Sequence, residues 1–267
     1  MREQILSYLP GDHPWQNQIY WFDSIDSTNL EAKRMAQSGA PHGTVLIADH
    51  QTAGRGRMGR SFLSPAGMGI YMSVILRPNC VPAKLMHLTC AAAVFACDAV
   101  ESAAGFRPGV KWTNDLVYQN RKLAGVLTEL AIDPKTGLVD YAIIGVGINC
   151  CQQESDFDPL IRSFAGSLSM FSEHAVDRAL LSACIVRSLY EMDKKLLTDQ
   201  SRIMKRYRHD CITINKDVSL VRADGNIRHG HAVDVDEEGA LLVRFSDGNT
   251  ETVNSGEISI RGMYGYV

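Results

Sequence analysis

The sequence predicts an α+β protein: a sheet of mixed direction backed by helices, then a small all-β tail. Three observations carry this. Up to about residue 213, apolar extended runs alternate with helical stretches; beyond it, short extended runs are separated by turn signals. The 267 residues allow one large and one small domain. Hydrophobic residues at 45% and charged residues at 21% suit a globular chain and exclude wholesale disorder or a collagen-like repeat.

In chain order, residues 19–22 form an apolar, aromatic strand. Thr28 followed by Glu31 fits a capping box, so a helix opens at Thr28 and closes before Gly39. Residues 44–48 and 69–76 read as buried strands, the second stopped by Pro78. The Ala-rich stretch 82–104, ended by Gly105, reads as one core helix. Residues 110–112 and 116–118 are extended, 119–121 turn, and 123–130 run back as a hairpin partner. Residues 141–148 are a further buried strand, and helices span 176–197 and on to about 209. In the tail, runs at 218–221, 231–235, 240–245, 251–253 and 258–260 are cut by Asp224-Gly225, Glu238-Gly239 and Asp247-Gly248. Five strands in about fifty residues make a β-barrel of SH3-like size, giving domains 1–213 and 214–267.

A net charge of −3 gives no global basic field for nucleic acid or a membrane surface, so any anion-binding charge must be local. The apolar run 91–97 stops at Asp98, short of a membrane span, and the N-terminus lacks a signal-peptide pattern; a cytoplasmic location is expected. Seven cysteines, with no Cys-x-x-Cys pair, read as free thiols rather than a disulfide framework or a zinc site. His229 and His231 lack a third metal ligand and read as surface residues; no metal site is assigned.

Four segments stand out. In residues 51–60, Gln51-Thr-Ala-Gly-Arg55-Gly56-Arg57-Met-Gly-Arg60, arginines alternate with glycines directly after a buried strand. Glycine lets backbone approach a ligand, and arginine offers a planar fork for carboxylate or phosphate. The loop is neither a Walker A loop nor a Gly-x-Gly-x-x-Gly helix start; a flexible basic surface loop is the alternative. In Lys111-Trp112-Thr113-Asn114-Asp115, with Lys122 and Gly125 beyond, the hairpin would bring Asp115 and Lys122 to similar heights. Asn114-Asp115 is either a plain turn or a group that meets Mg²⁺ or an amine. Gly145 and Gly147 within a buried strand indicate close approach of another group, or a bulge or tight helix packing. Asp26-Ser27-Thr28-Asn29 opens a helix, whose N–H groups suit an anion.

Together these segments resemble the biotin protein ligases, through Ser27-Thr28-Asn29, Gln51 with GRGRMGR at 54–60, KWTND at 111–115, RKLAG at 121–125, GVGIN at 145–149 and GEISIR at 256–261. The resemblance runs from about residue 20 to the end. It implies a catalytic domain akin to class II aminoacyl-tRNA synthetases followed by the SH3-like barrel. The implied activity joins biotin to ATP as biotinyl-5′-AMP, with Mg²⁺ on the phosphates. Biotin then passes to one lysine of a biotin carboxyl carrier protein, of acetyl-CoA carboxylase or a related carboxylase. The same-fold alternatives are a lipoate or octanoate ligase or transferase, which lacks the GRGRxGR loop, and a non-catalytic biotin-sensing module.

The resemblance assigns Ser27, Thr28, Asn29, Gln51, Arg55, Gly56, Arg57, Lys122 and Gly125 to biotin. It assigns Arg57, Arg60, Phe62, Lys111, Asn114, Asp115, Asn149 and Arg261 to the nucleotide. Arg55, Lys122 and Asp115 would carry the chemistry, with Asp115 orienting or deprotonating the incoming amine; Arg261 either reaches the phosphates or is a surface residue. An apolar slot for the biotin chain is expected near Gly145 and Gly147, and the Arg-Gly loop or residues 152–163 would cover the intermediate. Thr113 stands where the family usually has Pro, which would loosen that junction slightly, and Phe62 where Trp is frequent. About twenty residues precede the resemblance, too few for the DNA-binding module of some members, so no nucleic-acid partner is expected; a homodimer through the sheet would fit the family.

Overall fold

The computed structural model describes residues 1–222, 225–254 and 258–262, leaving out the side chains of 222 and 258–262. A seven-stranded sheet is built from β1 (Ile19–Phe22), β2 (Thr44–Ala48), β3 (Gly69–Leu76), β4 (Gly109–Lys111), β5 (Asp115–Tyr118), β6 (Arg121–Ile132) and β7 (Val139–Asn149). Its order is β1-β2-β3-β7-β6-β5-β4, with β1 and β2 parallel and the other neighbours antiparallel.

Helices cover both faces. On one lies α2 (Thr28–Gln37), whose Ala32 and Ala36 pack against Leu46, Ile75, Tyr141 and Ile143. On the other, α3 (Leu88–Ala104) and α4 (Arg178–Leu196) pack over Ile47, Met72, Val74, Ile144 and Val146. Strand residues alternate between the two sets, as the two-residue period of a pleated strand requires. Short α1 (Arg2–Ser7), which the sequence reading did not anticipate, places Ile5 in the core.

Residues Pro82–Ala104 are long and apolar enough by composition to cross a membrane, but most of α3 is buried inside the fold. The expected single helix is broken. Pro82–Leu85 is a 3₁₀ turn and α3 begins only after His87. The His87 ring, 1% exposed, bonds to the Leu196 carbonyl at 3.0 Å and holds the bend. The expected capping box is also corrected. Ser27 is the N-cap, with no side-chain cap bond, and Thr28 is the first helical residue.

After α5 (Gln200–Asp210), the tail forms β8 (Asp217–Arg222), β9 (Ile227–Val235), β10 (Leu241–Arg244), β11 (Thr250–Val253) and β12 (Ile258–Gly262). These make a five-stranded antiparallel sheet in the order β11-β10-β9-β8-β12. Asp224 of the expected Asp224-Gly225 turn lies outside the described residues. The tail is tied to the large sheet. Buried Trp112 donates from Nε1 to the Gly239 carbonyl (2.9 Å) and from its backbone N–H to Thr213 Oγ1 (2.9 Å). Arg208 donates to the Val235 carbonyl (2.6 Å).

Candidate active site

A cavity of about 910 Å³ opens over the face of the sheet that carries α2. Its floor is a chain of polar groups. The Thr28 N–H donates to Gln51 Oε1 (2.8 Å), and the Thr28 hydroxyl lies 3.2 Å from the same oxygen. Gln51 Nε2 donates to Ser64 Oγ (2.8 Å). The Ser73 hydroxyl donates to Asn29 Oδ1 (2.6 Å) and sits 2.8 Å from Thr28 Oγ1. Thr28 therefore spends its hydroxyl on the floor rather than on the helix end, which explains the missing capping box. Asn29 Nδ2 donates to Glu129 Oε2 (2.8 Å). Ser27, Thr28 and Asn29 are all at most 4% exposed, so these bonds are shielded from water.

Two cationic elements meet over this floor. The loop after β2 brings Arg55 to the cavity wall, where Nη1 donates to both carboxylate oxygens of Glu129, at 3.0 and 3.4 Å. Arg57 lies deeper and donates from Nη1 to Asn114 Oδ1 (2.8 Å). Burial pushes the Arg57 guanidinium below its ordinary value, and the Asp115 charge opposes that shift. From the other side, the β5–β6 hairpin sets Lys122 Nζ 2.7 Å from Asp115 Oδ1. The hairpin register explains this, since Asp115 pairs with Gly125 and Val117 with Lys122. Lys122 is fixed from its outer edge as well. Its N–H donates to the Phe164 carbonyl (2.7 Å) and its own carbonyl accepts from Gly166 (2.9 Å).

The two glycines of β7 are approached closely, by protein groups. A Cβ on Gly145 would lie 2.2 Å from Asn29 Oδ1, and one on Gly147 would lie 2.8 Å from the Phe62 ring. Of the open readings, tight packing against α2 holds at Gly145, and the Arg-Gly loop closes over Gly147. At the β4–β5 corner Thr113 is 2% exposed; its carbonyl accepts from the Tyr207 hydroxyl at 3.1 Å, while its own buried hydroxyl has no hydrogen-bond partner among the described residues.

Of the residues singled out from the sequence, Ser27, Thr28, Asn29 and Gln51 form the floor. Arg55, Gly56, Arg57, Arg60 and Phe62 come from the loop, Lys111, Asn114 and Asp115 from the β4–β5 corner, and Lys122 and Gly125 from β6; all line the one cavity. Asn149 does not. At the end of β7, its Nδ2 donates to the Gly166 carbonyl (3.0 Å) and its Oδ1 accepts from Gln152 (3.3 Å), bracing the following loop. The Arg261 side chain lies outside the described residues; its backbone is in β12, opposite Ser219. Glu129 was missed. The available signal was a carboxylate two and four residues beyond Leu127 and Gly125, on the strand face that lines the cavity.

A mixed sheet with helices on both faces, a cavity that gathers cations against a polar floor, and a five-stranded tail bonded to the sheet through Trp112 define a class of enzyme suited to joining anionic substrates. The sequence profile of the biotin/lipoate A/B protein ligase family matches residues 21–149, and that of the biotin protein ligase C terminal domain matches residues 213–261. The chain is 36% identical over 234 residues to the bifunctional ligase/repressor of Bacillus spizizenii, covering 87% of this chain and 71% of that protein. It is 33% identical over 263 residues to the biotin–[acetyl-CoA-carboxylase] ligase of Mycobacterium tuberculosis, covering 97% and 93%. The solved structure of the Aquifex aeolicus biotin protein ligase in complex with biotin and ATP matches with a TM-score of 0.77 at 28% identity, covering 92% of this chain and 99% of that one. The chain belongs to the biotin protein ligase family and is a ligase.

Proposed function

We propose that this enzyme condenses biotin with ATP to biotinyl-5′-AMP and pyrophosphate, then transfers biotin to a lysine of a biotin carboxyl carrier protein. In the first step a biotin carboxylate oxygen attacks the α-phosphorus and pyrophosphate leaves. Two anions must be held together, so the site has to supply positive charge. Arg55 and Arg57 from the loop and Lys122 from the hairpin are the cations, and Mg²⁺ enters on the phosphates of ATP as part of the co-substrate. Removing one such contact raises the barrier by roughly 2–4 kcal/mol. In the second step the carrier lysine attacks the acyl carbon and AMP leaves.

The floor of Thr28, Gln51 and Ser27 offers donors and acceptors to the neutral ureido ring, and the apolar part of the cavity lining, with Trp112, Val126 and Leu127, takes the apolar chain. Lys111, Asn114, Arg60 and Phe62 serve the nucleotide. Asp115 holds the Lys122 ammonium and orients it. The seven free thiols agree with a reducing, cytoplasmic location.

The observation that carries this reading is that the Arg-Gly loop and the Lys122 hairpin line the same cavity. The test is ATP–pyrophosphate exchange with biotin, lipoate or octanoate, followed by mass spectrometry of a carrier domain. Exchange that requires biotin, and a carrier heavier by one biotinyl group, are expected. Exchange supported by lipoate or octanoate instead would reject the reading.

A further inference from the structure

We infer that Glu129 is a positioning residue for biotin activation, acting through Arg55; the inference rests on the function proposed above. The Arg55 backbone bridges Ser61 across the loop, but its side chain is 41% exposed, so the guanidinium at the end of a long, flexible stem needs a partner to fix it. Glu129 supplies the missing constraint. It stands on β6, one of the strands flanked on both sides, on the same face as Gly125 and Leu127, which line the cavity. Its two oxygens take Arg55 Nη1 at 3.0 and 3.4 Å, so the loop arginine is held by one arm. The remaining N–H groups of Arg55, on Nη2 and Nε, are left to meet a substrate anion at the cavity wall.

Glu129 is itself aimed. Oε2 accepts from Asn29 Nδ2 (2.8 Å), whose Oδ1 accepts from Ser73 (2.6 Å), and Gly145 gives the Asn29 amide its room. The polar floor that faces the ureido ring and the arginine that faces the acid group are therefore one connected network. Through it the two ends of the substrate are held at a fixed spacing.

The chemistry requires a carboxylate. Both partners of Glu129 are donors, from Asn29 and from Arg55. A carboxylate accepts from both, whereas an amide at the same place has one acceptor oxygen and turns an NH₂ toward one of the donors. Glu129→Gln, almost unchanged in shape, removes the charge and sets an NH₂ group against Arg55 or Asn29, weakening one of the two contacts. Glu129→Asp keeps two acceptors on a shorter stem.

The test is a double-mutant cycle read as the biotin KM and kcat in ATP–pyrophosphate exchange, with thermal unfolding of each variant as a check on folding. Glu129→Gln is expected to raise the biotin KM about tenfold, with kcat changed less than about threefold, and Glu129→Asp to recover most of the loss. In the Arg55→Ala background, Glu129→Gln is expected to add less than about twofold. Multiplying losses in the double variant, or a biotin KM that Glu129→Gln leaves unchanged while Arg55→Ala raises it, would overturn the positioning role and leave the ligase reading standing. An unaltered protein without biotin-dependent exchange would overturn both.

Discussion

Gly145→Ala is the sharpest structural test of the connected floor. Gly145 lies within β7, where alanine would ordinarily be tolerated or slightly stabilising. Here the added Cβ would sit 2.2 Å from Asn29 Oδ1 and 2.9 Å from Asn29 Cγ. Ordinary contact needs about 3.5 Å, so the Asn29 amide must retreat by roughly 1 Å. That retreat breaks its bonds to Ser73 (2.6 Å) and to Glu129 (2.8 Å). A neutral hydrogen bond contributes about 1 kcal/mol and one to a charged group about 1.5–3 kcal/mol, so the loss should total roughly 3 kcal/mol. Urea unfolding measures it. With a slope of about 3 kcal/mol per molar, the midpoint should fall by about 1 M. Biotin KM should rise as well, because Glu129 and Arg55 lose their anchor. Asn29→Ala removes the obstacle, so adding Gly145→Ala to it should cost under about 1 kcal/mol. A Gly145→Ala protein as stable as the parent, or costs that simply add in the double variant, would refute the reasoning.

Trp112→Phe deletes the donor that satisfies the buried Gly239 carbonyl at the junction with the tail. The unfolding free energy should drop by about 1–3 kcal/mol, and a loss below about 0.5 kcal/mol in urea titration would show that this bond does not hold the junction. Burial raises the thiols of Cys97, Cys150, Cys184 and Cys211, and pushes Cys90 up to about 12. Burial raises Cys80 and Cys151 too, but only these two are partly exposed, so the five buried thiols should resist iodoacetamide at pH 8 in the native protein and Cys80 and Cys151 should be the modified positions. Mass spectrometry of the alkylated digest checks this, and rapid native labelling of Cys90 or Cys150 would contradict it.

Much of the layout was legible because strand and helix periods are local properties. The residue runs at 69–76 and 141–148 are apolar apart from Ser73 because both faces of the sheet are covered, and they became β3 and β7. The hairpin that joins Asp115 to Lys122 followed from the turn residues between two extended runs. What sequence could not supply was competition for shared groups. Thr28 reads as a helix cap until Gln51, 23 residues away, claims its N–H. The break at His87 depends on the Leu196 carbonyl, 109 residues distant. Glu129 looks like an ordinary strand carboxylate until the loop carrying Arg55 folds over it. Asn149, read as a nucleotide contact, is turned to Gly166 by the loop that follows it.

The claim that the cavity's cations neutralise the acid group of the substrate is tested most directly by calorimetric binding of biotin and of its primary alcohol. The parent protein should bind the acid at least about tenfold more tightly, since a charge-assisted contact contributes about 1.5–3 kcal/mol. Lys122→Gln, which removes the ammonium 2.7 Å from Asp115, should bring the two affinities within about threefold. Equal binding of acid and alcohol by the parent, or an acid preference untouched in Lys122→Gln, would contradict the account.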